Sequence, residues 1–93
     1  MFQLALQMIK KEEHEYPLVK VIWIDITADS NWKSLSELEK ESLPVCVSVG
    51  YLYSIKNKIT RLFADYSLKD GEIDEVGNTT LIPNSVILDV KKI

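Results

Sequence analysis

The chain has 93 residues, 46% of them hydrophobic and 27% charged, with a formal net charge of −3 and a single cysteine. Those figures describe one domain with a modest core, and exclude an internal disulfide and the basic stripe of an electrostatically driven nucleic-acid binder. Its 14 acids are largely offset by 11 bases, too even a balance for a protein that imitates DNA by its acidity. No apolar run approaches the roughly 20 residues needed to cross a bilayer, and no signal-peptide pattern opens the chain, so a cytoplasmic compartment is expected.

Residues 1–17 read as an N-terminal extension. Phe2, Leu4, Leu6 and Met8 alternate as a strand would, while Phe2, Ala5, Leu6 and Ile9 also share a helical face. The abundance of Ala, Leu, Gln, Met, Lys and Glu favours a helix that ends before Tyr16-Pro17. His14 falls in a charge run with Lys11, Glu12, Glu13 and Glu15 and reads as solvated.

From residue 18 a small β domain is expected to run to residue 93. Residues 18–27 are β-branched on both faces, with Val19, Val21 and Trp23 on one and Ile22, Ile24 and Ile26 on the other. A strand of that kind is covered twice. In so small a domain the second cover is expected from the N-terminal segment or another subunit, which places Phe2, Leu6, Ile22 and Ile24 at an oligomer interface. A loop then leads into a short helix, because Ser34 and Glu37 have capping-box spacing, Leu35 and Leu38 share a face, and Pro44 disfavours helix at Leu43.

Residues 44–55 form one long strand whose odd positions are apolar and whose even face carries the small residues Cys46, Ser48, Gly50 and Ser54. Gly50 marks a bend or close approach within it. Lys56-Asn57-Lys58 is a tight reversal in which Asn57 tolerates positive φ, and residues 59–67 return as its partner. Asp70-Gly71 opens an acidic connection, Gly77-Asn78 suggests a further reversal, and residues 79–82 make a short strand. A turn at Pro83-Asn84-Ser85 precedes the closing strand. The expected architecture is a five-stranded, β-dominated barrel of the Sm-like or Src-homology-3-like kind, with one inserted helix and an N-terminal helix.

The order VIWIDI, Trp32, SLPVCVSVGYL and TLIPNSVI resembles a family of small uncharacterised bacteriophage proteins. The resemblance covers residues 19–93: a W-x-D matched by Trp23 and Asp25, a second tryptophan before a short helix matched by Trp32, an S-V-G-Y-L strand matched by Ser48 to Leu52, and an I-P turn matched by Ile82 and Pro83. The first 17 residues depart from the family's shorter start. What the resemblance implies is a phage origin and action in the cytoplasm of an infected bacterium.

Each candidate residue has an ordinary structural explanation beside the functional one. Asp25 either contacts a ligand or caps the loop after its strand, and Trp32 either anchors a partner or packs the helix onto the barrel. Tyr51 and Tyr53 share a face with Val47 and Val49, which suits barrel interior or a subunit interface, with base stacking as the alternative. Cys46 reads as an inert, buried thiol, and the one histidine and one cysteine lack zinc-ligand spacing. Lys56, Lys58 and Arg61 form the basic cluster of the sheet, and Arg61 is the best anchor for a phosphate or carboxylate. No catalytic motif or cofactor site is expected. With the resemblance, the expectation is a non-enzymatic, homo-oligomeric phage protein that counters host defence by inhibiting a host protein or sequestering a nucleotide-derived signal. The alternative is an Sm-like RNA-binding or phage structural module, with nucleic acid disfavoured by the acidic balance.

Overall fold

The computed structural model describes residues 14–93, so the expectations placed on Phe2, Leu6 and a helix within residues 1–13 lie outside the described residues. Five strands, β1 (Leu18–Ile24), β2 (Val45–Lys56), β3 (Ile59–Lys69), β4 (Glu72–Pro83) and β5 (Ile87–Lys92), form one antiparallel sheet in the order β4-β3-β2-β1-β5. A single α-helix, α1 (Leu35–Lys40), interrupts the β1–β2 connection, and a 3-10 turn at Asn84–Val86 joins β4 to β5. The sheet is open, since β4 and β5 form its two edges and do not pair with each other. Among the described residues no helix is long and apolar enough to cross a membrane.

Alternation along β1 puts Val19, Val21 and Trp23 on the inner face, and a core of Val19, Val21, Leu62 and Ile82 gathers there. Leu52, Val86, Ile87 and Val90 pack against it with Trp23, so every strand contributes at least one member to the cluster. Burying each such side chain stabilises the fold by about 1.5–3 kcal/mol.

This arrangement reverses the expected sense of β2. Its odd residues Val45, Val47 and Val49 are exposed, while Cys46 and Ser48 are half-buried and Gly50 is buried. The reason is the volume of Trp23, which pairs with Cys46 and donates its indole Nε1–H to the Ser48 hydroxyl at 3.0 Å. Large residues on that face of β2 would collide with the indole, so small ones line it. Tyr51 and Tyr53 are accordingly not interior residues, and Cys46 is half-buried instead of fully enclosed.

Gly50 sits where β3 crosses closely: a Cβ there would lie 3.1 Å from the Phe63 carbonyl oxygen and 3.3 Å from Leu62 Cβ. The irregularity of the β2–β3 pairing comes further on, between Leu52 and Ser54, leaving Tyr53 as the bulged residue. The hairpin beyond it turns through Asn57 and Lys58, both with positive φ (54° and 63°), the geometry that follows the strands' right-handed twist.

The acidic stretch differs from expectation. Asp70-Gly71 (φ 55° and 80°) is itself the two-residue hairpin turn, and Glu72–Pro83 is one continuous strand. No reversal occurs at Gly77-Asn78; Gly77 pairs with Asp65, and the Asn78 carboxamide donates to the Asp65 carboxylate.

Helix α1 forms as its cap predicts, with the Glu37 amide donating to Ser34 Oγ at 3.1 Å and the Glu37 carboxylate accepting from Ser34 in return. It does not pack on the sheet. None of its residues is buried, and Trp32 is 101% exposed, which overturns its expected role in packing the helix.

Candidate functional site

The outer face of the sheet carries two features absent from the core: an aromatic cluster and, beside it, an unfilled groove. In the cluster, the His14 ring meets Tyr51 edge-on at 4.6 Å and Tyr66 at 4.9 Å, with Phe63 at 5.8 Å. His14 Nδ1 accepts the Tyr16 amide hydrogen at 3.1 Å, and the Leu52 amide of β2 donates to the Pro17 carbonyl at 2.9 Å, so the segment before β1 is pinned to the sheet. His14 is therefore half-buried among aromatic rings, not solvated in its charge run. Its sequence neighbours give little hint of this, because besides Tyr16 at 5.5 Å the rings it meets come from β2 and β3.

Tyr16 continues the cluster, lying 5.6 Å from both Phe63 and Tyr53. From there a groove of about 350 Å³ opens between the bulge of β2 and strands β3 and β4. Tyr53, Phe63, Val76 and Leu81 supply its apolar wall, Thr79 a hydroxyl, and Arg61 its charged group. Register explains the assembly: Arg61 pairs with Leu81 and Phe63 with Thr79, so both pairs project from one face, while the bulge turns Tyr53 toward them. Arg61 donates from Nη1 to the Lys56 carbonyl at 3.1 Å, which fixes the guanidinium beside the hairpin and leaves other donors of its planar fork for a ligand.

Two of the residues expected from sequence thus meet in one site. Lys58 stands at the hairpin turn, outside the groove lining but next to it in the same basic hairpin, in which residues 54–64 hold three cations and no carboxylate. Asp25 and Trp32 belong to the opposite end of the molecule. The Asp25 carboxylate accepts the Ile26 amide hydrogen at 2.8 Å and its own amide donates to the Pro44 carbonyl, the geometry of a loop cap. Phe63, Val76, Thr79 and Leu81 were missed by sequence reasoning. The alternation that puts Phe63 and Arg61 on one face is legible in the sequence, but the β3–β4 register depends on the tight Asp70-Gly71 turn, which the acidic residues after it disguise as the start of a longer connection.

The connection from Asp25 to Pro44 forms an arm. Lys33 bridges Asp29 at 3.2 Å and also pairs with Glu41, tying the two ends of the arm together around α1. The Asn31 amide and the Lys33 ammonium hold the Asp29 carboxyl below its ordinary 3.8, and the Glu41 and Asp29 carboxylates hold Lys33 above its ordinary 10.5. Along this arm Ile26, Trp32, Leu35, Leu38 and Leu43 are all exposed.

No protein-family model, curated protein or solved structure matches the chain. Exposure is what characterises its surface: sixteen large apolar side chains are exposed among the described residues against five buried, an inverse of what a self-sufficient core requires. Ile22 and Ile24, expected at an interface, are half-buried on the outer face beside the exposed Val47 and Val45 with which they pair.

Proposed function

We propose that this chain is a non-enzymatic, phage-encoded binding protein that counters host defence in the bacterial cytoplasm by sequestering a nucleotide-derived signal within a homo-oligomer. The observation that carries this reading is the meeting of Tyr53 and Arg61 in one groove. A flat, anionic ligand suits it: the exposed Tyr53 ring, backed by the buried Phe63, offers a stacking wall, and the guanidinium fork matches a phosphate. A groove of about 350 Å³ is at the small end of ligand sites and is open on one side, which favours a site that a second subunit completes.

The strand order and the 3-10 turn between β4 and β5 support an Sm-like or Src-homology-3-like barrel as the parent architecture, with its edges left apart. A second mode of counter-defence, direct inhibition of a host protein, is favoured by the stripe of Val45, Val47 and Val49 exposed along β2. Isothermal calorimetry with ADP-ribose and cyclic dinucleotides separates the two: binding that is lost in Arg61→Ala supports sequestration, and no heat with any of them moves the weight to the host-protein inhibitor. Recovery of RNA with the purified protein would favour the Sm-like nucleic-acid alternative instead.

A further inference from the structure

The arm and the groove are at opposite ends of β2. The arm leaves β1 at Ile24, which pairs with Val45 at the start of β2, whereas the groove lies near the hairpin that closes after Lys56. Those ends are separated by roughly 35 Å of strand at about 3.3 Å per residue. Trp32, being fully exposed, touches neither the groove nor the core of its own chain.

The two ends are complementary. Residues 25–44 hold five carboxylates against two lysines, and one of those lysines, Lys33, is already engaged by Asp29 and Glu41. The hairpin beside the groove has the opposite sign, with Lys56, Lys58 and Arg61. On the arm, Leu35, Leu38 and Glu39 fall at three- and four-residue spacings on one side of α1, close in sequence to Trp32, so apolar and acidic groups are presented together. In the groove, Leu81 and Tyr53 are more than half exposed with Arg61 between them and the basic turn. A fully exposed tryptophan on a capped, ion-paired support has the composition of an interface anchor.

We infer that the arm of one copy docks on the hairpin groove of a second copy, laying Trp32 over the groove's open side with Glu39 facing Lys56 and Lys58. This deepens the sequestration reading and rests on it in one respect: the docked Trp32 forms the second aromatic wall of the ligand site. Because the arm and the groove are different surfaces at opposite ends of β2, the contact closes either as a reciprocal two-fold exchange of arms or, when repeated head to tail, as a ring or a chain.

The test uses the full chain in multi-angle light scattering at micromolar concentration. Wild type assembles, whereas Trp32→Ala and Leu81→Asp each weaken association by at least about tenfold, the loss expected for an anchor or its pocket. Both changes are at exposed positions and leave the far-ultraviolet circular dichroism of the folded chain unchanged. Mixing the two variants yields a one-to-one dimer and nothing larger, since one intact arm then meets one intact groove. Lys56→Glu with Lys58→Glu weakens assembly, and adding Glu39→Lys restores part of it. A monomeric wild type, a Trp32→Ala protein that assembles normally, or a mixture that stays monomeric overturns the docking. Calorimetry with ADP-ribose keeps the two ideas distinguishable. Assembly without ADP-ribose or cyclic dinucleotide binding leaves the docking standing and removes the ligand, while a monomeric Trp32→Ala that binds them as wild type does keeps the ligand and removes Trp32 as its wall.

Discussion

Thr60, with only 1% of its surface exposed, donates its hydroxyl hydrogen to the Asn84 side-chain oxygen at 2.6 Å. The Asn84 amide in turn donates to the Lys58 carbonyl at 2.9 Å, so the connector leading from β4 to β5 is fastened to the β2–β3 hairpin. The groove stands on that hairpin, which makes this small polar junction the support of the candidate site.

Replacing Thr60 by Val keeps the shape but leaves the Asn84 oxygen without its donor, at an expected loss of about 1–3 kcal/mol. Asn84→Ala should lose a similar amount. In a double-mutant cycle by urea denaturation the combined loss falls short of the sum, as contact partners require; additive losses would show that the junction is not a unit.

Gly50→Ala should destabilise the protein by roughly 1–3 kcal/mol, because the new methyl meets the Phe63 backbone carbonyl, which cannot move aside as a side-chain tip can. Gly50→Val should lose more. An unchanged thermal midpoint for both would mean that β2 and β3 separate easily at this crossing.

Trp23→Phe removes the indole donor to Ser48 and part of the volume that the small face of β2 accommodates. The expected loss is about 1–3 kcal/mol, and Ser48→Ala in the same background should add little, since its partner is already gone. A large additional loss from Ser48→Ala would contradict the pairing.

The ion-paired arm should keep its geometry across the neutral range. Asp29 has a lowered folded value, so its contribution is complete above 3.8 and is lost only as pH falls through that lowered value. Lys33 is raised, so its contribution is complete below 10.5 and is lost as pH rises through the raised value. The Asn31 amide resonance should therefore stay constant between these limits, and a titration step near neutrality would show that another group governs the arm.

What the sequence made legible follows from local chemistry. The capping box at Ser34 and Glu37, the left-handed Asn57 and the number of strands all depend on residues close to one another in the chain, and all appear in the structure. The sense of β2 was not legible, because both of its faces suit a strand and only Trp23, a residue of another strand, decides which is inside. The same holds for His14, whose aromatic surroundings are set by register, and for Trp32, whose exposure reflects an arm that never folds back. In the site, Arg61 and Tyr53 could be named because charge and strand position are local properties. Leu81 and Thr79 could not, because they reach the groove only through the β3–β4 pairing.

The central claim is that Tyr53 and Arg61 form a receptor for a flat anionic ligand, and nuclear magnetic resonance titration with ADP-ribose and cyclic dinucleotides tests it most directly. The account predicts saturable shifts at Tyr53, Arg61, Phe63, Val76 and Leu81 with at least one of these probes, abolished in Arg61→Ala while the core resonances of Val21 and Ile82 stay in place. Saturable shifts that survive Arg61→Ala, or an absence of shifts with every probe, would contradict it.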